Sequence, residues 1–191
     1  MGLQEVDAEA AALDQRREKV ERLVVPELGL MYRVALRLTR NPTNAEDLVQ
    51  ETLLRAVKAI DTFDGRYPRA WLLTILRNTN INRARQARPE VLTDLASADG
   101  SVEPVADPRE APENIVVDEA FDGKVADAFH ALPEKFRSVV EAVDVDGLTY
   151  AEASSLLTIP AGTVMSRLHR GRLRMRKTLS ADGFGSRGKS T

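Results

Sequence analysis

Along most of the chain apolar residues return at spacings of three and four, the period of a helix with one buried face. From Val24 the positions Leu28, Met31, Tyr32, Ala35, Leu36 and Leu38 make such a stripe, which stops at the breaker Arg40-Asn41-Pro42. Thr43 and Glu46 stand in capping-box spacing and predict a helix from Ala45 to Ile60, with Val49, Leu53, Ala56, Val57 and Ile60 on one face. A turn-rich loop, Phe63-Asp64-Gly65-Arg66-Tyr67-Pro68, leads into a helix from Arg69 to about Gln86 that offers Trp71, Leu72, Ile75, Leu76 and Ile81 to a core. The period lapses between Pro89 and Pro112, where prolines and acids recur, and returns from Asn114 to Leu132 through Val125, Ala128 and Phe129. Pro133 starts a further helix carrying Phe136, Val139, Val140 and Val143.

After Asp146-Gly147 the chain spells two short helices and a tight turn. Thr149 and Glu152 form a second capping box, so a helix starts at Tyr150 with Ala153, Leu156 and Leu157 inward. Thr158-Ile159-Pro160 ends it, because proline disfavours helical geometry in the preceding residue and suits a new first turn. A second helix then runs from about Ala161 to Leu179, with Val164, Leu168, Gly171, Met175 and Leu179 as a stripe expected to pack on the first helix. Gly171 costs such a helix roughly 1 kcal/mol relative to alanine, so its place in the stripe predicts a close helix contact. The pair reads as a helix-turn-helix.

The predicted fold is all-α: two small helical domains joined by a flexible acidic linker. The boundaries are a lead-in over 1–22 (a frayed helix or disordered), a first domain over 23–88, the linker over 89–113, a second domain over 114–180 and a basic tail over 181–191.

The net charge of −2 would discourage a nucleic-acid reading if it were evenly spread. It is not. Between Gly65 and Pro89 the cations Arg66, Arg69, Arg77, Arg83, Arg85 and Arg88 meet no acid, whereas between Glu90 and Asp118 eight acids face Arg109 alone. From Ser166 to Lys177 the cations are Arg167, Arg170, Arg172, Arg174, Arg176 and Lys177, again with no acid, and Ser166 and His169 add hydrogen-bonding tips. A helix of that kind in a major groove reaches base edges with its N-terminal residues and phosphates with the arginines further along. The aromatic loop beside the acid-free upstream helix suits unpaired bases, which stack on rings while cations follow the backbone. Trp71 fits that role and a packing role equally well.

Other chemistries find little support. Cysteine is absent and the two histidines, His130 and His169, are far apart, so no metal site, cofactor or catalytic grouping is evident. No stretch approaches the roughly 20 apolar residues that cross a bilayer, and the acidic start is no export signal, which leads to a cytoplasmic protein with no membrane insertion. Gly183 to Ser190 fits the letters of a phosphate-binding loop but lacks a strand before it and a helix after it. An enzyme or small-molecule substrate is therefore not expected. A helix-turn-helix repressor or activator acting on duplex without polymerase is the principal rival.

Four words, in this order and separation, carry a resemblance: AEDLVQETLLRA at Ala45 to Ala56, PRAWLLTILRNTNINRAR at Pro68 to Arg85, LPEKFRSVVEAVDVDGLTYAEAS at Leu132 to Ser154, and IPAGTVMSRLHRGR at Ile159 to Arg172. Together they resemble the extracytoplasmic-function sigma factors, group IV of the bacterial sigma-70 family. The resemblance implies sigma regions 2 and 4 as the two domains, with core RNA polymerase (clamp helices and flap), promoter DNA in duplex and single-stranded form, and an anti-sigma factor as partners. By position it implies polymerase docking by Asp47, Gln50, Glu51 and Arg55. It implies capture of the −10 element by Phe63, Asp64, Gly65, Arg66 and Tyr67 together with Asn78 and Asn82. It implies reading of the −35 element by Ser166, His169 and Arg170, with Arg167 and Arg172 on phosphates. Met165 departs from the basic residue often found at its position. For the linker acids, solvation and nucleic-acid mimicry both stay open.

Overall fold

The computed structural model describes residues 2–86 and 119–181, with side chains described over 10–86 and 123–181. All regular structure among the described residues is helical, and the chain divides into two compact units, residues 1–111 and 112–191. The linker expected at 89–113 and residues 182–191, with their Gly-Lys-Ser letters, lie outside the described residues. Among the described residues no helix is long and apolar enough to cross a membrane.

The first unit holds α1 (Gly2–Leu23), α2 (Leu28–Thr39), α3 (Pro42–Ala59) and α4 (Pro68–Gln86). Residues 2–22 of the lead-in are thus helical, although the side chains from Ala10 to Glu18 are all exposed. Helices α2, α3 and α4 pack on one another around Leu30, Met31, Val34, Leu48, Ile60, Leu72, Leu73 and Leu76. Three expectations need correction. The start of α3 is capped by Asn41, not by Thr43. Asn41 is extended (φ −147°, ψ 125°), its side-chain oxygen accepts the Asn44 N–H at 3.0 Å, and Pro42 occupies the first turn, where a missing N–H costs nothing. The buried face of α3 is also rotated. It is Ala45, Leu48, Thr52, Ala56 and Ile60, while Val49, Leu53 and Val57 are half-buried. Thr52 belongs inside because its hydroxyl donates to the Leu48 carbonyl at 2.7 Å, which leaves no unsatisfied polar atom. Likewise Leu38 and Ile81, expected in the core, are 39% and 47% exposed.

One tether of helix α1 to the rest of the unit is acidic. Asp61, in the 3-10 turn Ile60–Thr62, accepts from Arg16 and from Lys19, the latter at 3.5 Å. Its carboxyl is held below the ordinary aspartate range, first by the Arg16 hydrogen bond. A depressed folded-state pKa contributes stability that is present above the ordinary value and lost as pH falls through the lowered one. Acidification is therefore expected to release α1 before it melts the α2–α4 core, and Asp61→Asn should release α1 at neutral pH. Cα chemical shifts of residues 10–23 would report both; unchanged shifts in the variant would contradict the tether.

The second unit comprises α5 (Glu119–His130), α6 (Glu134–Val140), a π-helical turn (Glu141–Val145), α7 (Tyr150–Leu157) and α8 (Ala161–Ala181). The capping box of α7 is present: the Thr149 N–H donates to Glu152 at 2.8 Å and the Glu152 N–H to the Thr149 hydroxyl at 3.3 Å. Thr158 closes the helix in the left-handed region (φ 54°), and the Ser154 hydroxyl donates to the Ile159 carbonyl at 2.6 Å, which fixes the turn into α8. The stripe of α8 packs on α5 and α6 as well as on α7. Gly171 meets α6 and not the first helix of the motif: a Cβ there would stand 2.7 Å from Val140 Cγ2 and 3.6 Å from Phe136 Cβ. Val140 is buried and stiff at χ1, so Gly171→Ala forces a shift costing about 1–3 kcal/mol against about 1 kcal/mol of gained helix propensity. A net loss near 1 kcal/mol in urea unfolding is expected, and a stabilised variant would refute the close contact.

Candidate nucleic-acid interface

Three groups of candidate side chains lie on the two units. On α8 the core takes Val164, Leu168 and Gly171, which turns Ser166, His169 and Arg170 outward, all exposed. The Ser166 hydroxyl donates back to the Thr163 carbonyl at 3.1 Å. Arg167 is half-buried on the flank. The six cations are not equivalent. Arg172 donates through Nε and Nη2 to the two carboxylate oxygens of Asp144, at 3.0 Å for the first, and that hydrogen bond raises the guanidinium pKa above its ordinary range. Asp144 sits in the π-helical turn, which aims it at α8. Arg174 lies over the Phe136 ring at 5.0 Å. Two cations are thus engaged within the unit, while Arg170, Arg176 and Lys177 present exposed side chains.

In the first unit the loop before α4 has a built conformation. Asp64 accepts the Arg66 N–H at 2.9 Å, Gly65 has φ 80° and Tyr67 has φ 51°. Phe63 stacks on Trp71 with centroids 4.2 Å apart and planes 11° from parallel. The two half-buried rings therefore satisfy each other, and Tyr67, 42% exposed, is the aromatic of the loop left facing outward. Arg69 anchors the start of α4 to Glu27 at 2.9 Å. Asn78 and Asn82 are both exposed, one helical turn apart on α4.

The third group lies on α3. Asp47, Gln50 and Arg55 are exposed and Glu51 half-buried, with Arg55 donating to Glu51 at 2.7 and 3.2 Å. Arg83 of α4, counted in the sequence among the cations of the acid-free helix, approaches Asp47 at 3.9 Å and Glu51 at 3.8 Å and donates to the Asn44 carbonyl at 3.4 Å. It ties the acidic face of α3 to the helix bearing Asn78 and Asn82. No local pattern announces such a pairing, since the partners are more than thirty residues apart.

Among the described residues the two units are helical, one bearing a cationic helix-turn-helix and the other an aromatic loop leading into a basic helix, an arrangement of the DNA-binding class. Residues 23–90 match the family model for sigma-70 region 2, and residues 122–175 that for sigma-70 region 4. The chain is 33% identical over 160 residues to the ECF RNA polymerase sigma factor SigE of Mycolicibacterium smegmatis, a match covering 84% of this chain and 61% of that relative, so it spans less than two thirds of that protein's length. It is 36% identical over 155 residues to the ECF RNA polymerase sigma factor SigW of Bacillus subtilis, with 78% and 82% covered. Among solved structures it is similar to CnrH in complex with the cytosolic domain of CnrY, with a TM-score of 0.57 at 25% identity, covering 92% of this chain and 95% of that one. The chain belongs to the extracytoplasmic-function sigma factors of the sigma-70 family, regulatory proteins that direct transcription initiation by RNA polymerase.

Proposed function

We propose that this chain is a group IV sigma factor of the cytoplasm that performs no catalysis itself and uses its two units as separate anchors on one promoter. Residues 23–88 act as the region 2 domain and residues 114–180 as the region 4 domain, tethered by 89–113. Asp47, Gln50, Glu51 and Arg55 dock on the clamp helices of core polymerase, and the second unit meets the flap. Phe63 to Tyr67, with Asn78 and Asn82, hold the opened −10 strand. Ser166, His169 and Arg170 read the −35 duplex, with Arg167 on a phosphate. The observation that carries this reading is the pairing of an outward tyrosine on a fixed loop with an acid-free helix, in a chain that separately owns an outward cationic recognition helix. A duplex-only repressor has no use for the first surface.

Separating base pairs sacrifices stacking of about 1.4 kcal/mol per step, which capture of extruded bases and polymerase contacts must offset. Phosphate contacts set position and base contacts set sequence. Arg172 is reassigned in part: its bidentate hold on Asp144 supports a role in fixing α8, with phosphate contact requiring that pair to open. The relation to CnrH, solved in complex with the cytosolic domain of CnrY, supports a further protein partner, the place that the family resemblance gives to an anti-sigma factor. Run-off transcription tests the whole. The chain plus core polymerase should initiate at selected promoters while the chain alone binds them weakly; tight, specific binding without polymerase would favour the repressor.

A further inference from the structure

Helix α8 exposes two large apolar side chains, Met165 and Leu173, and of these Met165 stands in the first turns beside Ser166, His169 and Arg170. Met165 is 50% exposed, one residue past the buried Val164 and one before Ser166. At 3.6 residues per turn it shares a flank with His169, one turn on, while Ser166 and Arg170 pair on the adjoining flank. It therefore stands in the first turns of the helix, among the tips that face outward, and the core is complete without it: Val164, Leu168 and Gly171 fill the inner side. A single exposed apolar residue on an ordinary surface needs no explanation. Here the surroundings are cationic and polar, and a flexible thioether offers neither charge nor a strong hydrogen bond to a phosphate or a base edge.

Only one feature of the major-groove code is apolar, the C5-methyl group of thymine. We infer that Met165 is a specificity-determining residue that packs on a thymine methyl within the −35 element, beside bases read by Ser166, His169 and Arg170. This rests on the assignment of α8 to −35 reading and adds a chemical identity for one position of the recognised sequence. Polarizable and unbranched, the side chain can follow the methyl group without a fixed rotamer, so the discrimination it provides is modest beside that of a bidentate arginine.

The test uses holoenzyme assembled from the full chain and core polymerase. A preferred −35 duplex is selected from a randomised pool, and each thymine in it is replaced singly by deoxyuridine, which removes the methyl group and leaves pairing intact. At one thymine the replacement should weaken closed-complex binding about fourfold, the effect of one buried methyl-sized group. Met165→Ala should bind the thymine and uridine duplexes alike, and Met165→Ile, which stays apolar, should retain most of the difference. The inference is overturned by a selected element in which no thymine is sensitive, or by a uridine penalty that survives in Met165→Ala. Arg170→Ala in the same assay separates the two levels: lost selectivity there with no methyl effect removes Met165 alone, whereas unchanged selectivity removes the −35 assignment of α8 itself.

Discussion

Tyr67→Ala is expected to lower the rate of promoter opening roughly five- to 150-fold, the equivalent of about 1–3 kcal/mol for one base stacked on a ring, with binding to core polymerase unchanged. Tyr67 qualifies because it is the ring in the loop that faces outward, on a backbone held in the left-handed region between the Asp64 turn and the Trp71 N–H, which donates to the Tyr67 carbonyl at 3.1 Å. Trp71→Ala should behave differently. It removes the platform on which Phe63 stacks, so the loop loses its fixed conformation and the first unit loses stability. Full burial would put that loss at about 3–5 kcal/mol; the half-buried position of Trp71 brings it to roughly 2–3 kcal/mol in urea unfolding. Permanganate reactivity of the −10 thymines reads opening, and equilibrium unfolding reads stability. If Tyr67→Ala opened promoters normally, the ring would have no part in strand capture.

Loss of the Arg170 guanidinium should weaken discrimination between the preferred −35 duplex and a single-base variant by about 1–3 kcal/mol, since Arg170 is exposed and free to present its planar fork to a base edge. Arg172 gives the contrast. Because its fork already holds Asp144, Arg172→Ala should leave discrimination nearly intact, shift affinity for all sequences together, and lower the stability of the second unit by no more than the small amount typical of an exposed pair. Asp144→Asn should reproduce the stability change. Closed-complex binding to matched and mismatched duplexes checks both variants, and a base-specific defect in Arg172→Ala would restore it to the reading set.

The course of the chain was legible because helix period, breakers and caps are local properties. Tyr150, Ala161 and the turn between them fall where the Thr149 capping box and Pro160 put them. Legibility fails where the deciding partner is distant or where a letter pattern has a better competitor. Thr43 and Glu46 have capping-box spacing, yet Asn41 before Pro42 satisfies the helix start sooner. The face of α3 is rotated from the stripe through Val49, Leu53 and Val57 because Leu48 and Thr52 face inward instead, the Thr52 hydroxyl being bonded to its own helix carbonyl and so able to pack inside. On α8 the row of cations reads as one stripe in the sequence. That Arg172 is taken by Asp144, 28 residues earlier, and Arg174 by Phe136 follows only from packing of α8 on α6 and the π-helical turn. The loop offers two rings to bases and the helix a third, Trp71, with a packing role equally open; the Phe63–Trp71 stack gives Trp71 the packing role and leaves Tyr67 outward.

The Arg172–Asp144 pair also sets how the second unit answers to ionic strength. Each cation that neutralises a phosphate releases condensed counterions and adds about 0.9 to the slope of log affinity against log salt. A guanidinium that arrives with its own carboxylate displaces fewer of them, so the slope for α8 should fall below what its six cations would give. Osmotic shifts that concentrate salt in the cell would then loosen this anchor less than its sequence suggests.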